Sequence, residues 1–202
     1  MSHVLDRPVW SALDTRHRIF AYGDRLARRY PSSIVPFAAS GADDAESLQA
    51  LASDRDRLRR SDGCRGAIAF RVGERVQQLT QDDAAEMLAL ASLTKPGPFT
   101  LKALSLGEFW GVKIDGRLAA MAGERMKQPG YSELSGVCSH PEFRGSGLGR
   151  LLSVFVANRI FARGEVPYLH SYASNANAVG LYEAIGFRLR AEMNVAVVQR
   201  AG

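Results

Sequence analysis

Cysteine is scarce in this chain: Cys64 and Cys138 are the two present in 202 residues. Their spacing fits neither a disulfide framework nor a zinc site, so no resident metal is expected. No apolar run approaches the eighteen or so residues of a membrane-spanning helix, and no membrane association is predicted. The opening MSHVLDRPVW has no apolar signal-like segment, which makes the cytoplasm the expected location. Internal repeats and low-complexity tracts are also missing. With 46% hydrophobic and 23% charged residues, the composition is that of a folded chain able to bury a core.

A concentrated basic region is lacking as well. The net charge is +5, with 12 basic and 10 acidic residues in 1–74 and 14 and 11 in 75–202. Nucleic-acid binding calls for a clustered basic face, and none is legible, so no nucleic-acid partner is expected. A mildly basic surface equally suits an anionic cofactor carrying several phosphates.

The stretch that organises the chain is YSELSGVCSHPEFRGSGLGRLLSVFVANRIFA, from Tyr131 to Ala162. Tyr131–Ser139 reads as a partly buried strand, ended by His140-Pro141 because proline has no N–H to donate. Apolar residues at 148, 151, 152 and 155 mark a helix. Between them runs Arg144-Gly145-Ser146-Gly147-Leu148-Gly149-Arg150. Its alternate glycines free the backbone, and N–H groups opening onto a helix N-terminus form a cradle for phosphate. A Walker loop is excluded because Gly149 is followed by Arg150 and Leu151; a dinucleotide fingerprint fails because its third glycine falls on Arg150.

The remaining pattern, R-x-x-G-x-G over Arg144, Gly147 and Gly149, resembles the pyrophosphate-binding motif of the GNAT superfamily of acyl-coenzyme A-dependent N-acetyltransferases. Further on, Asn175 to Phe187 reads N-x-x-A-x-x-L-Y-x-x-x-G-F, which resembles the second half of the same coenzyme site. Two motifs in this order, separated by one strand (PYLHSYAS), are far more specific than either alone. The resemblance covers about residues 75–200, and ELSGVCSHPEFRG is similar to the glycine N-acyltransferase-like branch.

The resemblance implies an α/β (α+β) GNAT-like fold: a mixed, largely antiparallel sheet flanked by helices, with an N-terminal α/β extension. It implies acetyl transfer from acetyl-CoA, without metal, directly to a primary amine of a small molecule or amino acid. A homodimer is common in such proteins. The coenzyme site maps onto Val137, Cys138, Ser139, Arg144, Gly145, Ser146, Gly147, Leu148, Gly149, Arg150, Asn175, Asn177, Ala178, Leu181 and Tyr182. Backbone N–H groups at Val137 and Ser139 would serve the acyl carbonyl, and Tyr182 would protonate the departing thiolate. Two other readings compete: a coenzyme-binding regulatory module without catalysis, and transfer to a protein N-terminus or lysine.

Glu124 and Glu133 are the candidate bases, since a carboxylate inside an apolar strand needs an explanation. Cys138 is weighed as a nucleophile against simple packing, which small buried cysteines favour. His17 reads as a packed histidine, having no partner at ligand spacing.

Residues 1–74 are expected to form an N-terminal α/β segment, a degenerate half-domain beside a catalytic domain at 75–202. Helices are predicted at 8–20 and 45–60, and strands at 34–39 and 66–72. A strand at 75–80 and a Thr80/Asp83 capping box lead into AAEMLALASL. Lys95 to Phe99 must be a loop, and by the resemblance it borders the acceptor site. Asp115-Gly116 between apolar runs is a hairpin turn.

Overall fold

The computed structural model of the chain describes residues 3–40, 42, 55–62 and 76–196. Among the described residues a seven-stranded mixed sheet carries the fold, in the order β10-β4-β9-β8-β7-β6-β5. Its members are β4 (Arg55–Asp62), β5 (Gln77–Leu79), β6 (Phe109–Ile114), β7 (Arg117–Gln128), β8 (Tyr131–Ser139), β9 (Val166–Tyr172) and β10 (Arg188–Ala196). Only β8 and β9 run parallel; every other neighbouring pair is antiparallel. The expected mixed, largely antiparallel sheet flanked by helices is therefore present.

The centre of the sheet is β7, buried almost throughout because helices cover both faces. On one face α3 (Leu148–Ala162) packs Leu152, Val156 and Ile160 against Val112, Ala120, Ala122 and Leu134. Fully burying each such aliphatic side chain contributes roughly 1.5–3 kcal/mol. The second hydrophobic cluster joins Met87, Leu90 and Ala91 of α2 (Ala84–Thr94) to Leu79, Phe109, Met121 and Cys138. The capping box opens this helical region as expected: the Asp83 carboxylate accepts from the Thr80 N–H at 2.8 Å. The Asp115-Gly116 turn joins β6 to β7, both residues at positive φ (51° and 76°).

The N-terminal residues depart from expectation in three places. Residues 8–20 are not one helix: α1 (Pro8–Asp14) ends where the Thr15 hydroxyl donates back to the Ser11 carbonyl, and a short 3-10 turn follows at Arg18–Phe20. The short strand shifts to β3 (Ala38–Ser40), paired with β2 (Ala27–Arg29) and β1 (Tyr22–Gly23), because Pro36 interrupts the earlier run. Ile34 and Val35 go instead into a core with Leu13, Tyr30 and Leu106.

The third departure is larger. Residues 55–60, expected at the end of a helix, belong instead to β4, paired with β9 on one side and β10 on the other. Pairing on both edges overrides a local pattern that favours helix. Residues 45–54 of that predicted helix, and the predicted strand 66–72, lie outside the described residues. α1 is tied to the sheet by Gln128, whose amide donates to the Pro8 carbonyl and the Tyr168 hydroxyl, each at 2.8 Å. No helix among the described residues is long and apolar enough to cross a membrane.

Candidate active site

The site begins where two parallel strands part. β8 and β9 pair only at Tyr131–Val166, Ser132–Pro167 and Glu133–Tyr168; both then continue without pairing to each other. Among the described residues, the β9-facing edge of β8 from Leu134 to Ser139 has no ladder partner. Such an edge offers main-chain donors and acceptors to an extended ligand.

Two bulges shape β8 at this fork. Between Ser135 and Cys138 it advances three residues while β7 advances two, and Gly136 absorbs the excess at φ 64°. One step earlier β7 bulges between Glu124 and Lys127. A glycine isolated in an otherwise good strand, as Gly136 is in β8, is the sequence signal for such a bulge.

Past Ser139 the chain makes a short turn at Pro141–Phe143 and enters the glycine loop. Gly145 and Gly147 hold φ 78° and 80°, and a Cβ on either would meet nothing within 4 Å. That open space lies at the N-terminus of α3, whose first N–H groups have no helical carbonyl to bond. Arg144 and Arg150 stand exposed on either side, and the Ser146 hydroxyl is turned inward to the Phe143 carbonyl at 2.5 Å. The loop also reaches the strand end: a Cβ on Gly149 would lie 3.8 Å from the Ser139 Oγ. Ser139, the loop and the start of α3, including the buried Leu148, are thus brought together. Backbone donors and two arginines fit the pyrophosphate of a coenzyme.

The second motif forms α4 (Ala176–Ala184), capped by Asn175, whose side chain accepts from the Ala178 N–H at 3.1 Å. Asn177 is exposed, while Ala178 and Leu181 are partly buried. Tyr182 packs edge-on to Phe187 with ring centroids 6.1 Å apart. Burial, and secondarily the nearby Cys138 thiol, raise the Tyr182 hydroxyl above its ordinary value, so it stays protonated. Cys138 itself points into the α2 core, and burial pushes its thiol up to about 11, which suits packing rather than nucleophilic attack. Val137 alternates to the α3 side.

The two glutamates lie deeper. Glu133 is fully buried with its carboxylate gripped by Arg125 through Nε (2.9 Å) and Nη2 (2.6 Å), by the Met126 N–H (3.2 Å), and by His170 Nδ1 (2.7 Å). Burial alone would raise its pKa; Arg125 and His170 outweigh that and hold it at about 2. So engaged, Glu133 bridges β8 to β9 and stitches the β7 bulge at the fork. Sequence alone does not join Arg125 and His170 to Glu133, because they lie 8 and 37 residues away.

Glu124 is also buried. It pairs with Arg163 at the end of α3 (2.8 Å), and Lys127 stands 2.9 Å from its other oxygen, close enough for an ion pair but outside hydrogen-bond angles. Unlike Glu133 it lines a small cavity beneath the bulge, with Arg125, Ser135, Gly136, Phe99 and Phe109. That cavity, about 20 Å³, has room for one water. Among the described residues no cluster of His, Cys, Asp or Glu is arranged to hold a metal.

The FR47-like protein family model matches residues 111–196, the part containing the fork, the glycine loop and α4. A protein from Novosphingobium aromaticivorans DSM 12444, assigned to the GNAT family as an acetyltransferase, is 39% identical, with 96% of each chain covered and a TM-score of 0.87. A GNAT-family acetyltransferase from Colwellia psychrerythraea shares the fold at 16% identity, covering 74% of this chain and 58% of its own, with a TM-score of 0.58. No curated protein matches the chain. A forked pair of parallel strands, a glycine cradle on the following helix and near-complete coverage by a 39%-identical relative lead to one conclusion: the chain belongs to the GNAT family of acyltransferases.

Proposed function

We propose that the protein transfers an acetyl group from acetyl-CoA directly to a primary amine of a small molecule or amino acid. The observation that carries this reading is the fork between β8 and β9, opening beside the glycine cradle. Bound there, acetyl-CoA supplies the activated thioester. The N–H groups of Gly147, Leu148, Gly149 and Arg150 would hold its pyrophosphate, with Arg144 and Arg150 adding charge. The unpaired edge at Val137 and Ser139 would grip the pantetheine arm and the acyl carbonyl, where donors matter most as charge develops. Asn175, Asn177, Ala178 and Leu181 would line the far side.

Tyr182 would donate its proton to the departing thiolate. Glu124, the carboxylate lining the cavity under the bulge, would take the amine proton through a water. The phrase ELSGVCSHPEFRG further supports placement near the glycine N-acyltransferase-like branch.

Calorimetric titration with acetyl-CoA, on the wild type and Gly147→Trp, tests the cofactor; thiol release with a panel of amines tests the transfer. Binding lost in the variant, together with amine-dependent thiol release, is expected. Binding without release for any amine would return the chain to a regulatory module. Glu124→Gln should lower turnover and spare coenzyme binding; an unchanged rate removes Glu124 from the mechanism.

A further inference from the structure

A groove of about 420 Å³ lies next to the bulge. Leu88, Ala91, Ser92 and Lys95 line it from α2 and its C-cap, at the spacing that places residues on one helical face. Tyr172, the last residue of β9, lines it from a second element, beyond the point where β8 and β9 part. Phe99 lines both this groove and the small cavity under Gly136, and its ring lies 3.8 Å from where a Gly136 Cβ would be. The groove therefore adjoins the place where the acyl carbonyl would be held.

Its walls differ in chemistry. Leu88, Ala91 and the rings of Phe99 and Tyr172 offer apolar surface, with hydroxyls at Ser92 and Tyr172. Among its described lining residues Lys95 carries the only charge, and it is exposed at the end of α2. We propose that this groove receives the body of the acceptor, an amine bearing a ring-sized apolar group and an anionic group that faces Lys95. The inference rests on acyl transfer at the fork. A volume of this size falls within the range of small-molecule sites, and glycine would leave most of it unfilled. Two aromatic walls suit a ring, which packs edge-on or offset. An exposed ammonium contributes modestly to anion binding, by about fivefold at most, and salt screens it.

The test measures kcat/KM by thiol release for primary amines in matched pairs with and without a carboxylate, phenylalanine with phenethylamine among them, and glycine as the small member. Wild type and Lys95→Gln are compared at low and high salt. Wild type should favour ring-bearing carboxylated acceptors over glycine, and over their decarboxylated partners by about three- to fivefold. Lys95→Gln and high salt should each move the second ratio toward one, through KM. An unchanged ratio in Lys95→Gln, with transfer intact and the melting temperature preserved, overturns this inference alone. So does a preference for longer acyl donors with no dependence on the acceptor's ring, which would give the groove to the acyl chain. Absence of transfer to every amine while acyl-CoA is bound overturns the transfer reading beneath it.

Discussion

Gly136 and Phe109 touch across the bulge of β8: a Cβ on Gly136 would lie 2.8 Å from the Phe109 Cε1. The contact couples the shape of the open strand to the aromatic floor of the cavity beneath it. Gly136→Ala meets two obstacles, a left-handed φ and a ring that must move. A loss of roughly 1–2 kcal/mol of stability is expected from the backbone alone. Turnover should also fall, by about tenfold, because the displaced bulge re-aims the Val137 N–H. Thermal unfolding and thiol-release kinetics on one preparation check both, and a variant that loses stability but keeps its rate would detach the bulge from catalysis.

Tyr182→Phe removes a hydroxyl that burial keeps protonated while leaving the ring against Phe187. The expected result is a fall in kcat of about a hundredfold, the scale of a lost general acid, with acetyl-CoA affinity unchanged. A kcat within twofold of wild type would leave Tyr182 with packing alone.

Glu133→Gln separates an anchor from a base. It leaves the Arg125 guanidinium buried without its counter-charge, a defect that costs about 3–5 kcal/mol. For a chain of this length that is roughly 10 °C in melting temperature. A base would behave oppositely, with turnover lost and the melting temperature kept.

Acid should destabilise the protein in two stages. His17 is buried against Tyr30, its ring nitrogen 2.8 Å from the hydroxyl; burial first, then Lys127, lowers it from 6.5 to about 4. The unfolded chain therefore binds the proton more tightly. His17's contribution is fully present above about pH 6.5 and is lost as pH falls toward 4, on the order of 3 kcal/mol in total. Glu133, held at about 2 against an ordinary 4.5, contributes above pH 4.5 and loses that contribution between 4.5 and 2. Melting temperature measured against pH should show both declines, and His17→Gln should abolish only the upper one. A flat profile from 6.5 to 4 in the wild type would contradict the assignment.

Legibility in the sequence followed the range of the forces involved. The β6–β7 turn, the extent of β8, the capping box and α3 rest on neighbours a few residues apart, and all were readable from Asp115-Gly116, Thr80/Asp83 and the glycine loop. What was not readable depends on distant partners. The network around Glu133 is one case, because its three side-chain contacts come from Arg125 on β7 and His170 on β9. β4 resembled a helix because nothing near Arg55–Asp62 reveals that β9 and β10 will flank it. The glycine motif, by contrast, encodes its own conformation, which is why the loop and α3 are legible where the N-terminal third is not.

The position of β4 governs how the chain must assemble. A strand ending at Asp62 separates β9 from β10, which begin only at Val166 and Arg188. During synthesis it must wait unpaired for more than half the chain, so folding that involves it closes last and slowly. Cutting the chain after residue 74 would strip one edge from each of β9 and β10 and leave two bare strands beside the fork, a template for sticking to other molecules.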